Sequence, residues 1–196
     1  MPKVSEQYRA ARRDEIIAAA VRCIQRTGYS GTSMADIIAE TGLSTGAIYG
    51  HFAGKREIFL AVAEHVLDAR QADLSAARID GSPLSPGALM RVLVDGLRRE
   101  AVGSVIPQIW AEAAVDPDIR EIASRIFRRV RALIEPELAA WAAAVPGRVD
   151  GDPSAWAHRV TPVVLGAAPG FLVQRAVFDG FDEEAYLDGL IEAFTH

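Results

Sequence analysis

The 196-residue chain has a single cysteine, Cys23, which excludes an internal disulfide. Cys23 shares a helical stripe with Ile16, Ile17, Ala20 and Ile24, the pattern of a small buried hydrophobe. Nothing in the sequence argues for the exposure and lowered thiol pKa that a redox sensor needs. The four histidines, His51, His65, His158 and His196, have no metal-ligand spacing and no cysteine pair to help them. No segment sustains apolar/polar alternation, so no strands are expected and no Gly-rich phosphate loop can follow one. Acid pairs such as Glu135 and Glu137 lie two apart on a helix and point different ways. With no catalytic constellation, neither enzyme activity, cofactor nor metal is expected. No apolar run approaches the ~20 residues of a membrane span. The opening Met-Pro-Lys-Val-Ser-Glu has no signal-peptide core. The expectation is a cytoplasmic protein without a membrane partner.

Half of the residues are apolar, enough for a substantial core. Turn and cap signals divide the chain into nine helices. Helix 1 starts near Ser5 or Arg12 and stops at Gly28. Ser33 caps a helix over Met34–Thr41, with Gly42 as the left-handed stop. Ser44 caps the next, Thr45 to about His51. A longer helix runs from Lys55 to about Arg78, before the break at Asp80-Gly81-Ser82-Pro83. Ser85-Pro86, Asp116-Pro117 and Asp152-Pro153 each read as a cap followed by proline at the first helical position. Ser104 reads as the cap of a short helix to Val115, and Asp182 as the cap of the last helix. Pro136, Pro162 and Pro169 fall inside helices and are expected to kink them and open space between them.

Residues 31–60 carry the most information. Met34, Ile37 and Ile38 share one face of the second helix. Leu43, Ala47, Ile48 and Phe52 form one stripe across the third, leaving Thr45, Gly46, Tyr49 and Gly50 on the opposite face. So short a helix is not stable alone. Packed on one side, it leaves its other side for a ligand. Two short helices around a glycine turn form a helix-turn-helix, whose second helix enters the DNA major groove. The net charge of −5 is unevenly spread. Residues 1–60 sum to +2 and the rest to −7, so the positive end coincides with the helix-turn-helix. Arg9, Arg12 and Arg13 are either phosphate contacts from a mobile arm or a solvated helix start.

The run Thr32-Ser33…Ile37-Ile38-Ala39…Gly42-Leu43-Ser44…Ile48-Tyr49-Gly50-His51-Phe52…Lys55-Arg56-Glu57-Ile58-Phe59 resembles the N-terminal domain of TetR-family transcriptional repressors. The resemblance is detailed over residues 12–60 and one of helix pattern and length beyond. It implies an all-α, nine-helix homodimer, with a DNA-binding domain over residues 1–54 and a ligand-binding and dimerisation domain over 55–196. Carried over by position, Thr32 and Ser33 touch phosphate, as do His51 and Lys55. Ser44, Thr45, Gly46 and Tyr49 meet the bases and adjoining backbone of a double-stranded, palindromic operator. Thr45 and Gly50 stand where the family often has larger side chains. Specificity is therefore expected to lean on backbone approach and DNA shape.

In the C-terminal half, Ala167, Ala168, Phe171, Leu172, Phe178, Leu187, Leu190 and Ile191 lie on two strongly apolar helices. These fit either a two-fold four-helix interface, as the resemblance implies, or a core within one chain. A small, mostly apolar and uncharged effector is expected near Val66, Arg70, Trp110, Phe127, Arg131, Trp156 and Gln174. The expected function is ligand-responsive repression. The alternative is a DNA-binding or architectural protein that acts through a protein partner.

Overall fold

The computed structural model of the chain describes residues 6–78, 80–99 and 101–193. Among these there are nine α-helices and no strand: α1 (Glu6–Gly31), α2 (Met34–Thr41), α3 (Thr45–Tyr49), α4 (Lys55–Ala77), α5 (Pro86–Arg99), α6 (Ile106–Val115), α7 (Pro117–Ala143), α8 (Pro153–Val177) and α9 (Glu183–Ala193). A 3₁₀ turn, Ala101–Ser104, precedes α6. Ser5 and His196, named above, lie outside the described residues.

Local chemistry sets most helix ends. The Ser33 hydroxyl accepts from the Asp36 N–H at 3.1 Å, and the Asp36 carboxylate accepts from the Ser33 N–H at 2.8 Å, a reciprocal capping box. Gly42 stops α2 at φ 67°. Asp116, Asp152 and Asp182 each accept from backbone N–H groups in the first turn of the following helix. Gly28, at φ 74° and ψ 171°, breaks α1 and turns its last residues aside. Ser104 is not a helix cap. It belongs to the 3₁₀ turn, and α6 starts after Val105 with no side-chain cap and Pro107 in its first turn. Of the two readings of Arg9, Arg12 and Arg13, the structure agrees with the helix start: all three are residues of α1, where Arg12 pairs with Glu15 at 2.5 Å and Arg13 covers the Phe52 ring at 4.4 Å.

Three cores follow one another along the molecule. The first joins Ile16, Ile17, Ala20 and Cys23 of α1 to Ile37, Ile48 and Phe52, and to Ile58, Ala61 and Val62 of α4. The second gathers Ile24, Tyr29, Phe59, Val105, Ile109, Ile119 and Ile122 at the junction. The third fills the helical body around Leu89, Met90, Leu138, Val164, Phe171 and Leu187. Ala47, placed on the buried stripe by spacing, is exposed, because α3 ends at Tyr49 and rests on Ile48.

The two apolar C-terminal helices separate into inner and outer faces. Phe171, Leu172, Leu187 and Leu190 are buried in the chain's own core, which favours the reading of a core within one chain for these four: Phe171 sits edge-on to Phe181 and Tyr186 at centroid distances of 5.6 and 5.4 Å. Outside, Val163, Val173, Val177 and Phe178 remain exposed. The run-length argument against a membrane span also needs correction. By length and composition alone α8 is long and apolar enough to cross one, with mean hydropathy 1.3 over its best window. Its apolar character comes from two different faces.

Phe171→Asp would place a charge in this core and unfold the body. Phe171→Ala should cost about 3–5 kcal/mol in chemical denaturation. A Cβ on Gly87 would lie 2.5 Å from the Ile191 Cα, backbone against backbone. Gly87→Val should therefore cost at least about 1–3 kcal/mol by the same measurement. A pH dependence follows from the head. The hydrogen bonds from Ser33 hold the Asp36 carboxyl below its ordinary range, and those from Arg22 and Arg26 do the same for Glu40. Depressed folded-state pKa values give stability above the unfolded values near ~4, lost as pH falls through the lower folded ones. Thermal unfolding should show wild type above the double variant Asp36→Asn/Glu40→Gln at pH 7, with the gap closing below about pH 4.

Candidate DNA interface and ligand cavity

The head is a three-helix unit closed by α4. Arg22 and Arg26 of α1 bind Glu40 of α2 at 2.7 and 2.8 Å, fixing the first helix across the second. Ser44 caps α3 by accepting from the Ala47 N–H at 3.2 Å. The Glu57 carboxylate accepts from the Ala53 N–H at 2.6 Å, supplying the cap that Gly54 cannot. With Ile48 buried beneath, α3 presents Thr45, Gly46, Ala47, Tyr49 and Gly50 outward, and Tyr49 is half exposed. Ser33 and Ser44 lie beside this face at two helix N-termini, and His51 flanks it.

Two expected phosphate contacts are engaged inside the fold. Thr32 is buried; its hydroxyl donates to the Gly28 carbonyl at 2.8 Å and lies 3.0 Å from the Thr27 hydroxyl. Lys55 donates to the Tyr29 carbonyl at 2.8 Å and sits 4.3 Å from the centre of the Tyr29 ring. Burial pushes the Lys55 ammonium below its ordinary pKa. Both side chains fasten the Gly28 elbow to the head.

Gly46 occupies a helical position where an added Cβ would meet nothing within 4 Å. Helical glycine costs about 1 kcal/mol relative to alanine, and no intramolecular contact requires it. The α3 surface is thus low and open at its centre, suited to close approach by a flat or grooved partner.

The body encloses a cavity of about 160 Å³ between α4, α5, α6, α7 and α8. Val66, Arg70, Trp110 and Phe127 line it as expected. Trp110 meets Phe127 edge-on at 4.8 Å and is 40% exposed, so this pair stands where the cavity approaches the surface. Arg131, Trp156 and Gln174 are not among the lining residues, which corrects their assignment. Arg131 faces outward to Glu135 at 2.6 Å and donates to the His158 carbonyl at 3.2 Å. Pro162 has no N–H to offer that carbonyl four residues before it, and Arg131 fills the place. Trp156 packs against Trp141 at 5.6 Å. Of the three helix-interior prolines, only Pro169 reaches the cavity wall.

The sequence reading missed a second connection between head and cavity. Ser30 donates to Glu112 of α6 at 2.6 Å, and a Cβ on Gly28 would fall 2.9 Å from Gln108. On the same helix, Ile106, Ile109 and Trp110 line the cavity. The glycine at position 28 was the available signal, since a glycine ending one helix permits a left-handed turn and leaves the direction of the next segment unspecified. Arg56–Glu121 at 2.5 Å and Arg129–Glu64 at 2.7 Å bind α4 to α7.

Known proteins agree with this geometry. Residues 16–62 match the family described as bacterial regulatory proteins, tetR family, and residues 87–196 match the C-terminal domain of BetI-type transcriptional repressors. The HTH-type transcriptional repressor AcnR of Corynebacterium diphtheriae is 40% identical over 76 residues, 39% of this chain and 40% of that protein. The chain's matches span 34% to 40% of the length of four such relatives, and up to 68% at lower identity, as with the HTH-type transcriptional regulator BetI of Burkholderia thailandensis at 25%. Among solved structures, a TetR-family regulator from Syntrophomonas wolfei superposes with TM-score 0.75 at 16% identity, covering 95% of this chain and 94% of that one. A transcriptional regulator from Saccharomonospora viridis in complex with choline gives 0.65 at 22% identity, covering 95% and 97%. With an outward-facing α3 on a capped helix-turn-helix and more than half of the chain matched by a repressor domain, the protein belongs to the TetR family of helix-turn-helix transcriptional regulators.

Proposed function

We propose that the chain acts as a dimeric repressor in the bacterial cytoplasm, binding a palindromic operator and released by a small apolar effector held in the body cavity. The observation that carries this reading is the sharing of α4. Ile58 and Ala61 support the head, Val66, Leu67 and Arg70 wall the cavity, and Val62 between them belongs to both. We assign residues 1–54 to DNA reading and 55–196 to effector binding and dimerisation, with the first turns of α4 serving as the floor of the head. Ser33, Ser44, Thr45, Gly46, Tyr49 and His51 form the operator face. Two recognition helices must sit ~34 Å apart to enter successive major grooves. The 23 residues of α4 span about 35 Å, so a small tilt moves the head by ångströms. The Saccharomonospora viridis regulator seen with choline is a precedent for a small molecule in this fold.

The dimer surface is the outer face of α8 and α9. Val163, Gly166, Val173 and Val177 recur at helical spacing, and Phe178 extends the stripe. Gly166 and Gly189 have open space where a Cβ would be, the pattern of helices that admit a second backbone. Ala167 and Ile191 flank the stripe half-buried. Ala168 turns inward to the cavity.

A gel shift on upstream DNA, repeated with a small-molecule panel, tests the whole reading. No shift removes the repressor, and a shift that no ligand relieves removes the effector. Val177→Asp should leave the monomer folded yet give monomers in analytical ultracentrifugation and weaken operator binding by orders of magnitude, since two linked heads bind far more tightly than one. Wild-type monomers at micromolar concentration would refute the interface. Gly46→Ala should raise the stability of the free protein by up to about 1 kcal/mol while weakening operator binding. Unchanged affinity would show that α3 does not approach DNA through its backbone.

A further inference from the structure

Pro136, Pro162 and Pro169 lie inside helices, and each leaves the carbonyl four residues before it without its usual N–H partner. The three freed carbonyls meet different surroundings. Ala132, four residues before Pro136, is exposed, as is the proline, so water reaches that group. His158, before Pro162, accepts from Arg131 at 3.2 Å. Among the described residues, no side chain does the same for Leu165, before Pro169. The Tyr186 hydroxyl, which reaches this stretch of α8 from α9, donates to the Ala167 carbonyl at 2.9 Å. Leu165 and Pro169 both line the body cavity, together with Val164 and Ala168 of the same helix.

Residues four apart share one face of a helix, and the carbonyl of the first points along the axis towards the second. With both residues on the wall, the freed Leu165 oxygen opens onto the cavity. The lining side chains offer no other oxygen. Arg70 and Trp110 bear nitrogen, but only as donors. Arg70 is turned onto α5, where a Cβ on Gly96 would lie 2.3 Å from its guanidinium carbon, and is engaged with Asp73 at 3.1 Å. Trp110 stands at the mouth beside Phe127. The cavity is therefore polarised along its length. Leu165 and Ala168 pack on the body core, whereas Phe59 and Phe127 belong to the junction core or pack against it. One end holds a backbone acceptor and the end nearer the head holds aromatic rings.

We infer that the effector is an apolar molecule carrying a hydrogen-bond donor, a hydroxyl or ring N–H, which it gives to the Leu165 carbonyl while its apolar body lies towards Phe127 and Trp110. This rests on the cavity being the effector site proposed above. The physical case is a comparison of three ligands of one shape. A donor pairs with the freed oxygen in surroundings of low dielectric, where a hydrogen bond is strong. A pure hydrocarbon seals the same oxygen away from water and gives it nothing, so the acceptor loses its solvation without return. An ether of the same shape sets one acceptor against another. Sites with a fixed hydrogen-bonding group discriminate most sharply against the analogue that leaves that group unpaired. The remaining wall is hydrocarbon and indifferent to the difference.

The test uses the full-length protein and three probes that share one ring system: 2-naphthol, naphthalene and 2-methoxynaphthalene, with binding read by calorimetry. The naphthol should bind at least about fivefold tighter than either of the others, although it is the least hydrophobic. Pro169→Ala restores an N–H to the Leu165 carbonyl inside the helix. It should abolish the preference for the naphthol, leave naphthalene affinity within about threefold, and raise the thermal midpoint of the protein. Pro162→Ala, whose freed carbonyl already has Arg131, should leave the ranking unchanged. Equal binding of the three, tightest binding of the ether, or binding of none overturns the inference, as does a naphthol preference that survives Pro169→Ala. The wild-type ranking needs no variant, so a cavity reshaped by Pro169→Ala leaves the test intact. An operator gel shift separates the two claims. Naphthol binding with the expected preference but without operator release refutes the effector role and leaves the ligand class standing. Release by naphthalene or the ether as readily as by the naphthol refutes the ligand class and leaves the repressor standing.

Discussion

Ile58, Phe59 and Leu74 lie on one uninterrupted helix, yet each is buried in a different core. That continuity constrains everything else. Close-packed interiors do not deform gradually, so α4 cannot shift relative to the body without carrying the floor of the head with it. The ion pairs from Arg56 and Glu64 to α7 set its resting position. The Gly28 elbow, pinned by Lys55 from the head side and by Glu112 from the α6 side, adds a second bearing. The head is held at two points, and both lie on helices whose other faces border the same cavity.

The polar connections across this region are mostly surface-exposed pairs. Such pairs contribute little to overall stability, typically under about 1 kcal/mol each. Their value here is positional. Stability resides in the apolar cores, whereas orientation is left to contacts that can be exchanged at small cost. A ligand that alters the geometry of α4 need overcome only its differential affinity for two arrangements, on the order of 1–3 kcal/mol, without disrupting any core.

Features decided within a few residues were readable from the sequence. Ser33, Gly42, Asp116, Asp152 and Asp182 act where their side chains and dihedrals predict, and the α2 limits match those read from periodicity. Features that depend on what lies opposite were not. A helix apolar on all sides gives no periodic signal to separate inside from outside, so Phe171 and Val173 looked alike, although one is buried and the other is exposed. Arg70 and Arg131 are both arginines on long helices. Only the glycine opposite the first and the proline-freed carbonyl beside the second assign one to the cavity and the other to the surface. Lys55 and Thr32 sit where a phosphate contact is expected by position. Their partners, Tyr29 and Gly28, come from a turn whose path no local pattern specified.

The outward stripe of α8 has a consequence for cells that hold several regulators of similar build. Val163, Val173 and Val177 are largely free of the packing that constrains the inner face of the same helix. Substitution there is nearly silent for folding, while, with this face as the dimer surface proposed above, any change of shape or charge alters which surface can mate with it. Such a face can diverge quickly after gene duplication, and mismatched pairs can be rejected by a single clash or unpaired charge. The same separation of inner and outer faces would let two copies of an ancestral chain become insulated circuits before either changes the operator it reads.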